Sequence, residues 1–217
     1  MLPINGPSFK RAVVNPQHAF LNIPYDDDFR DLFLAYIAAL TAFGLVPRAT
    51  LEVPGGSGRL DRILGLIASC GYSFHDLSRV ELDVKNPPTP RFNMPFELGL
   101  AVGNERLGGR GTWFVFEAKK RRLSKSLSDL AGSDPYVHGG KPNGVFREIC
   151  NCLVREPRQP KVSEISKIYR ALKRVVPEIQ RDAASRSLFS ARIFQNLILA
   201  AQTLAAHNSL GPSRMRT

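Results

Sequence analysis

Short apolar runs alternate with longer amphipathic stretches through the first two thirds of the chain. Short runs bounded by turn residues favour buried strands, whereas apolar residues that recur every three or four positions favour helices. The predicted strands are residues 18–23, 45–51, 72–75 and 112–117. The predicted helices are residues 29–43, 58–70, 96–107 and 144–154. This alternation predicts an α/β protein with a parallel sheet flanked by helices on both faces.

The last third of the chain has a different pattern and a different charge. Residues 163–176 and 188–206 have helical periodicity, and Pro177 is expected to interrupt the first of these helices. From residue 155 onward there are 12 basic and 4 acidic residues, against 18 and 15 before it. The sequence therefore predicts an α/β domain over residues 1–154 and a basic helical C-terminal extension over residues 155–217. This extension is a candidate for assembly of a homo-oligomer.

The composition excludes several classes of protein. An apolar content of 43% in 217 residues is enough for a hydrophobic core. Three cysteines give neither a disulfide framework nor the spacing of a zinc site. The first twenty residues contain no uninterrupted apolar run that would act as a signal peptide, and no stretch is long enough to span a membrane. We expect a cytoplasmic protein that uses no metal.

The net charge of +11 is compatible with several kinds of partner. Positive charge attracts nucleic acid, acidic proteins and phosphorylated ligands, but a solvated basic surface is the simpler interpretation. No alternation of aromatic and basic residues and no nucleic-acid motif accompanies the charge. Charge is therefore the only feature that favours a nucleic-acid partner.

Polar segments follow three of the predicted strands. In a parallel α/β sheet, ligands bind at the carboxyl ends of the strands. Residues 22–28, 75–79 and 119–125 are expected at that edge, next to the helix start at residues 93–97. Residues 119–125 include five basic residues and are expected to form an exposed loop. This convergence marks the candidate site.

Glu97 is the most informative residue of that site. It lies early in a helix between apolar neighbours, and a buried carboxylate costs free energy unless it is paired or used. The alternative is an exposed glutamate that stabilises the first turn of the helix through the helix dipole. Gly99, two positions further on, is expected to let a strand or ligand approach closely.

Two other polar clusters each allow two interpretations. Asn22, Tyr25 and Asp26 form either a ligand-shaping loop or a plain turn and helix cap. Asp76 and Ser78, next to a histidine, resemble a nucleophile arrangement, but catalytic triads are assembled from separated positions, so turn and cap chemistry is the alternative. The glycine-rich loop at residues 54–58 lacks the spacing of a phosphate-binding fingerprint.

Five stretches carry a resemblance to a known group. They are FLNIPYD at residues 20–26, RLDRI at 59–63, SFHDLSR at 73–79, RFNMPFELGL at 91–100 and SDLAGSD at 128–134. Together they resemble a family of uncharacterised bacterial proteins, which is similar in turn to TIR-like and nucleoside 2-deoxyribosyltransferase-like proteins. The resemblance covers roughly residues 18–154. One departure is the sequence NIPY at residues 22–25, where TIR proteins are rich in serine.

The resemblance implies a flavodoxin-like sheet and cleavage of an N-glycosidic bond in NAD, a nucleoside or a nucleotide. It implies that Glu97 is the catalytic carboxylate and that NAD is a possible substrate rather than a cofactor. Such an enzyme would be an effector in bacterial defence. The residues expected to bind substrate are Asn93, Phe20, Asn22, Tyr25, Asp26, Asp76, Ser78 and Arg121.

The resemblance also implies roles for the supporting residues. Asn93 would bind ribose hydroxyls or orient the catalytic carboxylate. Tyr25 or Phe20 would stack on a base, Asp76 and Ser78 would hold ribose, and Arg121 would meet phosphates. Two alternatives to catalysis stay open. One is a non-catalytic nucleotide-sensing module of the same fold, and the other is a nucleic-acid-associated protein that uses the basic C-terminal region.

Overall fold

The computed structural model describes residues 13–79, 81–82, 86–130, 132, 134–208 and 210. The strands are β1 Asn15–Asn22, β2 Val46–Arg48, β3 Cys70–Asp76, β4 Thr112–Glu117 and β5 Tyr136–Val137. The helices are α1 Arg30–Ala42, α2 Arg59–Ser69, α3 Asn93–Arg106, α4 Leu123–Ser126, α5 Pro142–Cys152, α6 Val162–Asp182 and α7 Ala191–His207. All strand pairs are parallel, in the order β2-β1-β3-β4-β5. This is the flavodoxin-like order, so the predicted fold class is confirmed.

One face of the sheet is covered by two layers of helices. α1 lies under α5, α6 and α7, and its residues from Leu32 to Ala42 are all buried. These helices share one hydrophobic cluster with the side chains that β1 directs to this face, Ala19 and Leu21. Burial on every side explains why α1 is apolar around its whole circumference. The predicted boundary at residue 154 falls in the linker between α5 and α6.

The opposite face is covered by α2 and α3. Phe20 alternates with its β1 neighbours, so it points to this face and packs with Ile63 and Ile67 of α2 and Ala101 of α3. A second small cluster joins α3 to β4 through Met94, Leu98, Val115 and Leu123. These contacts fix the first turns of α2 and α3 over the carboxyl ends of β1 and β3.

The structure corrects three expectations about elements. α6 continues through Pro177, which is exposed, because burial of Ile165, Leu172 and Val176 along the opposite face holds the helix together. The segment 119–125, predicted to be an exposed loop, contains α4 and the buried Leu123. β5 was not predicted, because two residues carry no periodicity. In the described part of the chain, no helix is long and apolar enough to cross a bilayer.

Candidate functional site at the carboxyl ends of β1 and β3

The candidate site lies where the chain leaves two neighbouring strands in opposite directions. Asn22 at the end of β1 pairs in register with His75 near the end of β3. From β1 the chain passes to α1 on one face of the sheet, and from β3 it passes to α3 on the other face. A crevice opens at such a switch point, and ligands of open α/β sheets bind there.

A cleft of about 520 Å³ opens at this edge. Its walls come from the loop after β1, the turn after β2, and the first turns of α2 and α3. The lining residues are Tyr25, Thr50, Leu51, Val53, Arg59, Ile63, Asn93, Phe96 and Glu97. Its volume falls within the range of about 300–1,000 Å³ that is usual for sites of small molecules.

Glu97 brings a buried carboxylate to this cleft. α3 packs Met94, Leu98 and Ala101 against the sheet, and Glu97 lies beside that stripe, so it is only 6% exposed. Among the described residues, its Oε2 atom has no hydrogen-bond partner. Burial raises the pKa of Glu97 to about 7, although the charge of Arg59 acts in the opposite direction. The alternative interpretation of Glu97, an exposed glutamate in the first turn of the helix, is therefore wrong.

Asn22 fixes the start of α3. Its Nδ2 atom donates to the Met94 carbonyl at 2.8 Å and lies 3.0 Å from Nδ1 of His75. Burial lowers the pKa of His75 to about 3, so the ring is neutral. Nδ1 then accepts from Asn22, and Nε2 donates to Oγ of Ser73 at 3.0 Å. Asn22 is thus a positioning residue for the turn that carries Glu97.

Tyr25 and Arg59 form part of the wall beside α2. The Tyr25 hydroxyl donates to the Leu21 carbonyl at 3.4 Å and lies 3.5 Å from Oγ1 of Thr50. Burial raises the pKa of Tyr25 above its usual range, so it stays protonated. The Arg59 guanidinium donates to the backbone carbonyls of Val53, Pro54 and Thr50.

Asp76 and Ser78 belong to a separate buried network and do not line the cleft. Oδ2 of Asp76 accepts from the Tyr36 hydroxyl at 2.7 Å and lies 3.0 Å from Nε2 of His138, while Oδ1 accepts from the Ser78 amide at 2.9 Å. Burial would raise the pKa of Asp76, but the hydrogen bonds from His138, Ser78 and Tyr36 and the His138 interaction hold it below its usual range. The expected ribose contacts thus involve side chains that are already engaged.

The same network does not form a nucleophile triad. In a serine triad the carboxylate binds one ring nitrogen of the histidine and the serine binds the other. Here Asp76 and Ser78 both contact Nε2 of His138, at 3.0 Å each, and Nδ1 accepts from the Gly140 amide. The bond from the Ser78 amide to Asp76 is turn chemistry, whereas the contacts of Asp76 with Tyr36 and of both residues with His138 join separate parts of the fold.

Three further expected binding residues lie elsewhere. Phe20 is fully buried against α2 and α3, with its ring 6.0 Å from that of His75, so it has no free face for a base. Asp26 caps the 3₁₀ turn Asp27–Phe29 and pairs with Arg91 at 3.0 Å. Arg121 is exposed in the turn after β4, where its φ of 63° is left-handed.

The expectation for Gly99 is wrong. Gly99 is exposed, and an added Cβ would meet no atom within 4 Å. By contrast, six of the nine lining residues were missed, and two of these, Phe96 and Arg59, have side chains that suit a ligand. Phe96 shares one face of the first turn of α3 with Asn93 and Glu97, and the i+3 spacing from Asn93 was the available signal. Arg59 is the first residue of the stretch RLDRI at residues 59–63, but no role was predicted for it.

The described residues contain no group of three or more histidine, cysteine, aspartate or glutamate side chains that could hold a metal ion. Comparisons with protein-family models, curated proteins and solved structures found no match to this chain. The function is therefore inferred from the cleft itself.

Proposed function

We propose that this protein cleaves the N-glycosidic bond of a nucleotide, a nucleoside or NAD, with Glu97 as the catalytic carboxylate. The observation that supports this most directly is the Glu97 side chain, which lines the cleft, is almost fully buried and has an oxygen without a hydrogen-bond partner among the described residues. A buried carboxylate without a hydrogen-bond partner in the protein costs free energy in folding, which favours a functional role.

The chemistry fits a single carboxylate. Breaking the bond between C1′ of ribose and the base nitrogen builds positive charge on the sugar. A fixed carboxylate beside C1′ stabilises that charge or attacks C1′ covalently before water completes the hydrolysis. In NAD the nicotinamide ring is cationic while it is attached to ribose, so it leaves as a neutral molecule and needs no acid. The base of an ordinary nucleoside instead leaves with a proton, which the attacking water releases. Because the pKa of Glu97 is about 7, its ionised form is well populated at neutral pH.

The neighbouring side chains suit the other parts of such a substrate. Phe96 lines the cleft and is 54% exposed, so one face of its ring is available for stacking on a base. Asn93 lies one turn before Glu97 and is exposed, so its amide can bind ribose hydroxyls. Tyr25 also lines the cleft, and its hydroxyl lies 3.5 Å from Oγ1 of Thr50.

The test is base release from NAD and from a panel of nucleosides and nucleotides, followed by chromatography. We expect the wild-type protein to release a free base and Glu97→Gln to lose at least about a hundredfold in kcat, as removal of a charge-stabilising group does. Glu105→Gln, on the same helix but outside the cleft, is the matched control. Equal rates for wild type and Glu97→Gln would refute the role of Glu97.

A non-catalytic sensor is the second candidate, and one contact favours it. Phe189, in the segment between α6 and α7, lies 6.0 Å from the ring of Tyr25. A ligand that moves Tyr25 would therefore act directly on the C-terminal helices. This candidate expects nucleotides to bind without turnover and to change the oligomeric state, which sedimentation measures. Turnover with an unchanged oligomeric state would argue against it.

A further inference from the structure

Arg59 places an unneutralised positive charge in the cleft. Its guanidinium is held by three backbone carbonyls, which order the side chain without removing its charge. Among the described residues, no carboxylate lies within 4.0 Å of it. Other arginines near this edge differ in this respect: Arg48 pairs with Glu52 at 2.7 Å and Arg91 with Asp26 at 3.0 Å.

The neighbouring Arg62 also supports the loop before α2, so this loop does not depend on Arg59 alone. Arg62 donates to the carbonyls of Ser57 and Pro54, at 3.0 Å each, so it holds the same loop. It lines a separate shallow cavity of about 300 Å³ and not the cleft that contains Glu97. Of these two arginines, only Arg59 is therefore placed to meet a ligand of the cleft.

The position of Arg59 suits an anion. It is the first residue of α2, so the positive end of this helix lies beside the same charge. The planar guanidinium matches the oxygens of a phosphate group and binds them through charge-assisted hydrogen bonds. Glu97 is the one carboxylate among the lining residues, and the charge of Arg59 acts on it across the cleft, but the two side chains form no ion pair within 4.0 Å.

We propose that Arg59 binds the phosphate of a phosphorylated nucleoside, so that the cleft prefers nucleoside 5′-phosphates and dinucleotides to unphosphorylated nucleosides. This inference rests on the proposed function for the identity of the nucleoside part. It assigns the phosphate contact to Arg59 and not to the exposed Arg121.

The experiment measures equilibrium binding in the full chain carrying Glu97→Gln, which prevents turnover. The probes are adenosine with AMP, nicotinamide riboside with its mononucleotide, and inorganic phosphate. We expect each monophosphate to bind about 10- to 100-fold tighter than its nucleoside, as charge-assisted hydrogen bonds to phosphate allow. Arg59→Gln should remove this preference and leave nucleoside affinity unchanged, and Arg59→Lys should retain part of it.

Arg62→Gln is the matched control, since it loosens the same loop without touching the cleft. The proposal is overturned if Arg62→Gln loses the preference as Arg59→Gln does, or if nucleosides and monophosphates bind equally or not at all. Inorganic phosphate that binds as tightly as AMP would also overturn it, because the site would then hold any phosphate. Base release by the wild type is scored separately. If monophosphates bind more tightly than nucleosides but the wild type releases no base, the proposed hydrolase activity is refuted. If the wild type releases base but shows no preference for monophosphates, the role of Arg59 is refuted.

Discussion

Replacing Glu97 by glutamine should stabilise the fold, and the gain should depend on pH. Burial raises the pKa of this carboxyl to about 7 from an ordinary value of 4.5. Because the pKa is higher in the folded state, the protonated form is favoured there. The free energy of unfolding of the wild type therefore falls as the pH rises from about 4.5 to about 7. The loss due to this one group is about 1 kcal/mol at pH 5 and about 3 kcal/mol at pH 8.

Glutamine has a similar volume and carries no charge, so Glu97→Gln escapes this loss. We expect its advantage over the wild type to grow by about 2 kcal/mol between pH 5 and pH 8. Urea unfolding at the two values of pH, followed by circular dichroism, measures it. Glu178→Gln, at an exposed position of α6, controls for the general loss of one negative charge. An advantage of Glu97→Gln that is the same at both values of pH would refute the assignment of a dry, unpaired carboxylate.

Four further substitutions test other parts of the structure. Phe96→Ala should raise KM for base release about 5- to 100-fold through lost stacking, whereas Phe92→Ala, at a more exposed position outside the cleft, should leave steady-state kinetics unchanged. Asp76→Ala removes the acceptor of the Tyr36 hydroxyl and the Ser78 amide and one of the two partners of His138 Nε2, so it should lower the free energy of unfolding in urea by about 3–5 kcal/mol. A loss below about 1 kcal/mol contradicts this. Gly144→Ala would put a Cβ 1.9 Å from a backbone carbonyl oxygen and should cost about 3 kcal/mol or more. In Gly99→Ala the added Cβ meets no atom within 4 Å. Because alanine favours a helix more than glycine does, this substitution should raise the melting temperature slightly.

The fold was predictable because its elements have strong local periodicity. The apolar segment that forms α1 and the short apolar runs that form β1 and β4 were sufficient to predict a parallel sheet with helices. Pro177 shows the limit of this approach. Local chemistry predicts a break there, but burial of the opposite face of α6 keeps the helix continuous.

The site was predictable only in part. Glu97 could be found because a carboxylate among apolar helix residues is unusual. Asp76 could not be placed, because neighbouring strand residues point to opposite faces and the sequence does not say on which side the cleft opens. Its partner His138 follows β5, which has no sequence signal. Arg59 was missed because its role depends on which arginines lack a carboxylate, and that is a property of the folded chain.

The burial of α1 has a consequence for synthesis of the protein. The outer face of this helix, which ends at Ala42, is covered by segments that extend to His207. At about 5–20 residues per second, a ribosome adds those later segments roughly 10 to 30 s after α1 has been made. During this interval the nascent chain exposes an apolar helix that has no cover of its own. Stable folding must therefore wait until these later segments have been made, and until then α1 is a natural target for chaperones that bind apolar segments.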